Sequence, residues 1–453
     1  MLSFFSPSFF THPPTTDAVE FQIDRLLKQV AELKSADIEK TALVAQHRAK
    51  VMEAEKTRRR LHNMVMDLRG NIRVGCRVRP HLGGAGGNAE GNYSFPDALV
   101  EQRSVQLTMA PRRSLSGGKG KGKGKTHSFQ FDRVFGPQAT QADVYEEISQ
   151  MVQSAVDGYN VCIFAYGQTG SGKTHTMLGA EAQQQGEVGS SATNAPMFEL
   201  EGENAGMMPR AANHVFAYMT EMHDQGWQFE AEATMVEIYC ETIRDLLNVP
   251  DGAKEGPVCE LRKVRSRDEK TGAIKLNTRV EGITSTPVGS AADILQILHK
   301  AVRTRATAET KCNARSSRSH TVFTLKIRGF DTNETFVNGQ TKPTMREGQL
   351  HLIDLAGSER LDRSGSASDK KLLREAQSIN KSLSCLGNVV GAIANKAAHV
   401  PFRDSKLTQL LENSLAGDSK ALMFCNLSPV EVSLNESLCS LWFAEKVNKC
   451  ERK

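Results

Sequence analysis

No run of 18 apolar residues occurs anywhere in the 453, so neither a transmembrane helix nor a membrane partner is expected. The nine cysteines never fall as CxxC. An odd, scattered set of thiols argues against a disulfide framework or a zinc site and fits reduced cysteines in a cytosolic or nuclear protein. A strong charge imbalance is also missing. The 57 basic and 52 acidic residues leave +5, too little for a protein that coats nucleic acid. Met1 to Phe10 carries aromatics but no basic residue, so a secretory signal is not expected. What is present is globular composition, 39% hydrophobic and 24% charged. The length suits one large domain with an appendage.

Glycine and proline are absent from residues 17–69. With Ile23 as position a, the a series reads Ile23, Val30, Asp37, Val44, Val51, Arg58, Val65. The d series reads Leu26, Leu33, Lys40, His47, Ala54, Leu61, Leu68. Ten of these fourteen are apolar, which predicts a coiled-coil helix weakened at its four polar layers. A single helix packed on the globular part is the alternative. Residues 1–16, rich in Ser, Thr, Pro and Phe, are expected to be disordered. Gly70 ends the helix. From Ile72 to Val78 the pattern alternates, predicting a strand stopped by Pro80. The rest of the chain alternates strand-like and helix-like segments, as an α/β domain does. Two low-complexity stretches read as surface loops: residues 178–205, and 117–125 with Lys119, Lys121, Lys123 and Lys125. The lysine run suggests a mobile tether to an acidic surface.

The apolar run Val161 to Tyr166 reads as a central strand buried on both faces. Gly167-Gln168-Thr169-Gly170-Ser171-Gly172-Lys173-Thr174 follows it and completes GxxxxGK[ST] at a strand-to-helix junction. The glycines let backbone N–H groups curl round a polyphosphate at the positive end of the next helix. Lys173 is expected on the β and γ phosphates and Thr174 on Mg²⁺. A second apolar strand ends in Asp354, suited to a water-mediated Mg²⁺ contact. Gly357, just beyond, can offer its N–H to the γ-phosphate without steric cost. The segment Asn313 to His320 clusters hydroxyls and arginines before an alternating strand, Thr321 to Ile327. No base-selecting NKxD follows, so a generic GTPase fits poorly.

Together GQTGSGKTHTM (167–177), NARSSRSH (313–320) and DLAGSE (354–359) resemble the P-loop, switch I and switch II of the kinesin motor domain. RVRP (77–80), FDRVF (131–135), ATQADVYEEI (139–148) and HVPFRDSKLTQLLENSL (399–415) extend the resemblance over about residues 71–450. It implies an α/β, P-loop NTPase fold: a central eight-stranded, mostly parallel sheet with helices on both faces, preceded by a coiled-coil neck. The implied division is 1–16, neck 17–70 and motor 71–453. The implied cofactors are ATP and Mg²⁺. Arg318 and Glu359 are the implied charged pair that closes switch I on switch II when ATP is bound. Ser316 and Ser317 are implied by the γ-phosphate and Mg²⁺, with Ser317 a metal ligand beside Thr174 and Asp354. Arg77, Pro80 and His175 are implied around the adenine, where flat cations stack well.

The implied partner is the microtubule, met by Lys381, Arg403 and Lys406. Lys263, Arg265 and Arg267 stand as weaker candidates. A neck that precedes the motor, with LRGNIRV at the junction, is similar to the C-terminal-motor kinesins. That implies a minus-end-directed, homodimeric ATPase of the cytoplasmic microtubule cytoskeleton, the spindle included. A scaffold with a damaged motor conflicts with intact Lys173, Thr174, Arg318, Gly357 and Glu359. An ATPase that depolymerises microtubule ends conflicts with the neck. Two departures stand out. Gly75 replaces a bulky apolar residue, which is expected to loosen the neck–motor junction, and Trp442 replaces an arginine.

Overall fold

The computed structural model describes residues 16–70, 72–81, 92–109, 124–180, 198–250, 253, 255–267, 274–308, 316–331, 345–359, 370–415 and 419–449. The N-terminal stretch 1–15 and most of the lysine run therefore lie outside the described residues. The chain divides into two compact units, 1–62 and 63–453.

In the first unit the helix α1 (Thr16–Leu68) begins. Ile23, Leu26, Val30, Leu33, Val44, Val51 and Leu61 all lie on its exposed surface. These are the a and d positions, so the seam is apolar and uncovered.

The second unit takes in the last residues of α1. Leu68 ends the helix, and Gly70 follows at φ 98, a left-handed conformation natural to glycine. Met66 is 2% exposed and packs into the core. Lys420 Nζ donates to Asn63 Oδ1 at 2.7 Å and Asp67 Oδ1 at 3.0 Å. It also lies 4.9 Å above the Tyr159 ring. Arg69 donates to Gln150 at 3.0 Å. Asn63, Met66 and Asp67 share one helix face at i, i+3 and i+4, and that face is clamped on the sheet.

The main sheet contains β1 (Ile72–Val78), β5 (Arg133–Phe135), β6 (Asn160–Tyr166), β7 (Trp227–Tyr239), β8 (Thr242–Asp245), β9 (Val258–Arg267) and β10 (Ile274–Glu281). It is completed by β11 (Thr286–Pro287), β12 (His320–Asp331), β13 (Met345–Asp354) and β14 (Lys420–Leu427). Their order is β10-β9-β8-β7-β12-β13-β6-β14-β1-β5, with β11 on β7. A separate sheet pairs β2 (Tyr93–Ser94), β3 (Ser104–Met109) and β4 (Lys125–Gln130).

The sheet corrects the expected strand count and direction. Among the described residues it has eleven strands rather than eight. From β13 to β5 the four pairings are parallel, and the other six are antiparallel. Hairpins build the antiparallel half. The turn between β7 and β8 is Cys240-Glu241, both left-handed at φ 49 and 57, as a two-residue hairpin turn requires.

Helices cover both faces. On one lie α2 (Gln141–Val156), α3 (Lys173–Leu178), α4 (Met207–His223) and α5 (Ala291–Ala308). On the other lie α6 (Lys370–Ala394), α7 (Lys406–Leu410), α8 (Glu412–Leu415) and α9 (Leu434–Asn448). Strand β6 shows why the sandwich is stable. Cys162, Phe164 and Tyr166 enter one core and Val161, Ile163 and Ala165 the other, the alternation a doubly covered strand needs. Strand β1 is buried throughout. Its arginines are paired, Arg73 with Glu147. Gly75 does not leave a gap, because a Cβ there would stand 3.0 Å from the Phe424 ring. The ring fills the space expected to be loose.

Candidate functional site

Strand register assembles the site. Ala165 pairs with Asp354, Tyr166 with Cys425, and Arg77 with Asn426. Four parallel strands thus deliver the loop after β6, Asp354, Asn426 and the segment Arg77 to Pro80 to one sheet edge. Open α/β sheets bind ligands at this edge. The cleft there measures about 430 Å³ and is lined by Arg77, Arg79, Pro80, residues 169–176, Ser317, Leu355 and Asn426. A larger cleft of about 610 Å³, between Tyr145, Arg210 and His214, contains no residue of the phosphate loop or of either switch segment. Chemistry decides here, not volume.

The loop Gly167 to Gly172 is set by its glycines. Gly167, Gly170 and Gly172 have φ 151, 77 and 95. A side chain on Gly167 would overlap the Asn426 carbonyl, whereas Gly170 faces open space. Lys173 Nζ donates to the Gly167 and Gln168 carbonyls, both at 2.9 Å. Burial lowers its pKa, opposed by the nearby Asp354 and Glu359 carboxylates. The ammonium is therefore parked across the loop, where a phosphate would meet it. The Ser171 hydroxyl and the Gln168 Oε1 are buried without a partner.

Thr174 Oγ1 donates to Asp354 Oδ2 at 2.6 Å, and buried Asp354 Oδ1 has no partner. With Ser317 lining the same cleft, the donors are two hydroxyls and one carboxylate. An all-oxygen set with a single carboxylate suits Mg²⁺, which keeps waters and shares phosphate oxygens.

The two switch segments meet through backbone. Gly357 N–H donates to the Ser317 carbonyl at 2.9 Å, and Ser358 N–H to the Gly167 carbonyl at 3.1 Å. Ser316 and Ser317 begin a short 3₁₀ turn, Ser316–Arg318. The Arg318–Glu359 pair is expected when ATP is bound, and here each side chain has another partner. Arg318 instead bonds Glu375 on α6 at 2.9 Å, while Glu359 accepts from Thr169 N–H at 2.8 Å and Thr169 Oγ1 at 2.6 Å. Thr169 offers Glu359 an amide and a hydroxyl together, and Glu375 offers Arg318 a carboxylate on α6.

Arg77 donates to Gln141 Oε1 at 2.7 Å and Thr176 Oγ1 at 2.9 Å. Burial pushes its pKa down to about 10. It is a buried strut rather than a free stacking surface. Arg79, two residues on and on the same strand face, reaches the Gly170 carbonyl at 2.8 Å and Ser428 at 3.4 Å. His175 is exposed at the rim of the cleft. Partial desolvation and then the Arg77 charge lower its pKa, so the ring is neutral beside Pro80. Sequence reasoning missed Arg79, Gln141, Asn426 and Glu375. Alternation marked Arg79, and Asn426 is a lone polar residue closing an apolar strand. Nothing local marked Gln141 or Glu375.

Lys381 on α6 and Arg403, in the 3₁₀ turn Phe402–Asp404, are exposed. Lys406 is half-buried at the start of α7, with its N–H on Glu241 Oε2 at 2.7 Å. The Cys385 thiol gathers these elements: its pKa is raised by burial and felt by Asp404, Lys381 and Glu241. Lys396 and His399 add exposed basic groups nearby in sequence. Lys263 is committed elsewhere, on Glu412 at 2.5 Å.

Residues 94–450 match the family model described as the kinesin motor domain. "Kinesin-related protein 2" of Dictyostelium discoideum is 41% identical over 436 residues, 94% of this chain and 50% of that protein. "Kinesin-like protein KIFC1" of Mus musculus is 42% identical over 441 residues, 96% of this chain and 60% of that one. This chain spans about half the length of the curated relatives it matches. Among solved structures, the "C-terminal motor and motor homology domain of Kar3Vik1 fused to a synthetic heterodimeric coiled coil" aligns with TM-score 0.72 at 36% identity. The alignment covers 95% of this chain and 99% of that one.

Proposed function

The chain belongs to the kinesin motor family, and from that premise we propose that it is an ATP-driven microtubule motor directed to the minus end. One observation carries the reading. Thr174 and Asp354 are bonded at 2.6 Å, with a second Asp354 oxygen unpartnered, beside a loop that bonds switch II at Ser358, and switch II bonds switch I between Gly357 and Ser317. Such an arrangement is a seat for a metal–triphosphate with a built-in sensor.

On this reading the amides of Thr169 to Thr174 hold the phosphates, and Lys173 leaves its two carbonyls for the β and γ oxygens. Thr174, Ser317 and Asp354 are the residues that would hold Mg²⁺. When bound, that ion neutralises charge on the phosphates. Arg77, Arg79, Pro80 and His175 frame the base. Gly357 N–H turns from the Ser317 carbonyl to the γ-phosphate, and Glu359 exchanges Thr169 for Arg318. Ser316 and Ser317 then orient the attacking water. Loss of the γ-phosphate reverses these exchanges, which couples chemistry to the position of α6.

Lys381, Arg403 and Lys406 form the basic face offered to an acidic microtubule. Residues 17–70 act as a neck and 71–453 as the motor. The uncovered a and d seam of α1 supports pairing with a second copy of this chain, since about ten apolar residues on one stripe are costly to leave in water. The place of work is the microtubule cytoskeleton.

The test is steady-state ATPase with and without microtubules, for the unsubstituted chain and Glu359→Ala, with gliding on polarity-marked filaments. Strong stimulation, lost in the variant, and minus-end motion are expected. Binding without stimulation would mark a scaffold. Filament shortening without gliding would mark a depolymerase.

A further inference from the structure

His320 stands at the end of switch I, yet its ring contacts neither cleft nor solvent. It is 2% exposed. Its Nδ1 accepts from the Ala356 N–H at 3.0 Å, and its Nε2 meets Ser382 Oγ at 2.8 Å. Ser382 Oγ in turn donates to the Ile379 carbonyl at 2.7 Å. The proton count leaves one arrangement. The amide can only donate, so Nδ1 is bare. The serine proton is spent on Ile379, so Nε2 carries hydrogen and donates to Ser382. Burial, then the Lys173 and Arg305 charges, keep the ring neutral down to about 3.

Three segments thus share one imidazole. Ala356 lies between Asp354 and Gly357 in switch II. His320 follows the turn carrying Ser317 and Arg318 in switch I. Ser382 lies near the middle of α6, next to exposed Lys381. Arg318 reaches the same helix at Glu375, seven residues before Ser382, so both ties grip one face of α6. The Arg318 tie joins a one-quarter-exposed guanidinium to a buried carboxylate. The His320 tie is dry, which strengthens and orients it.

We infer that His320 is a positioning residue that carries the displacement of Ala356 and Gly357 to α6 through Ser382, and so links turnover to the track-binding face. This rests on the motor reading above.

Three substitutions separate the two bonds. His320→Asn keeps an acceptor where Nδ1 was. His320→Gln keeps a donor where Nε2 was. Ser382→Ala removes the acceptor for Nε2 together with the bond to Ile379 and leaves His320 in place. The ratio of microtubule-stimulated to basal ATPase is measured in each, with ADP affinity and melting temperature. His320→Asn and Ser382→Ala are expected to lower the ratio at least tenfold, with ADP affinity within twofold. The double variant is expected to be no worse than either single one, because both break one chain of bonds. Two results overturn the inference: losses that multiply in the double variant, or an unchanged ratio while rates fall with melting temperature. An unsubstituted chain without stimulation overturns the motor reading and this inference with it.

Discussion

The Glu359 carboxylate sits on Thr169, taking both its N–H at 2.8 Å and its hydroxyl at 2.6 Å. An amide of the phosphate loop is therefore already holding an anion that belongs to the protein. A nucleotide has to displace it.

Competition of this kind predicts a paradox in Glu359→Gln. The neutral amide binds Thr169 less well, so ADP should bind roughly fivefold more tightly, the equivalent of about 1 kcal/mol. Hydrolysis should fall in the same variant. Fluorescent-ADP titration beside steady-state ATPase checks both, and an unchanged or weaker ADP affinity would refute the competition.

Gly357 has no room for a methyl group, since a Cβ would overlap Glu359 Oε2 and Thr169 Oγ1. Gly357→Ala should cut ATPase at least tenfold and leave the melting temperature within a few degrees, because the clash is with movable side-chain ends. Activity close to that of the unsubstituted chain would show that the segment tolerates displacement.

Lys420 is 3% exposed at its side chain and holds Asn63 and Asp67. Lys420→Met keeps the stem and removes the charge. The Asp67 side chain is 53% exposed, so water takes over part of the loss, and about 1 kcal/mol is expected. Hydrogen exchange at residues 64–68 should quicken several-fold, and gliding should slow more than ATPase does. Equal slowing of both would argue against a mechanical role for the clamp.

The His351 imidazole is buried, and burial lowers its pKa to about 4. It faces Thr324 Oγ1 at 2.8 Å. The unfolded chain binds this proton first, near 6.5, so stability is complete above that pH and declines as pH falls toward 4. Between pH 7.5 and 5.5 the group alone should remove about 1.4 kcal/mol. Urea midpoints at the two pH values measure the difference, which should shrink in His351→Gln.

The phosphate loop was legible because its needs are local. Three glycines must be left-handed, a lysine and a threonine must follow, and the preceding strand must be apolar. The register that brings Asn426 beside Arg77 is not local, and neither is the choice of Glu375 over Glu359 by Arg318. Both depend on which strand lies next to which. The antiparallel half was illegible for another reason. Cys240 and Glu241 make a hairpin turn without the glycine or asparagine that usually announces one. The neck clamp was hidden in the same way, since Asn63 and Asp67 look like ordinary surface residues until Lys420 is placed under them.

Strand β14 has one end under the neck helix at Lys420 and the other beside the nucleotide loop at Asn426, and all eight of its residues are buried. A stiff, fully enclosed element cannot shift at one end alone. Occupancy of the cleft and seating of the helix are then two ligations of a single rod. Thermodynamic reciprocity follows: whatever free energy nucleotide takes from the seated helix, seating the helix takes from nucleotide. A load that pulls the helix away should therefore change nucleotide affinity in the cleft, making the rod a gauge of force as well as its conduit.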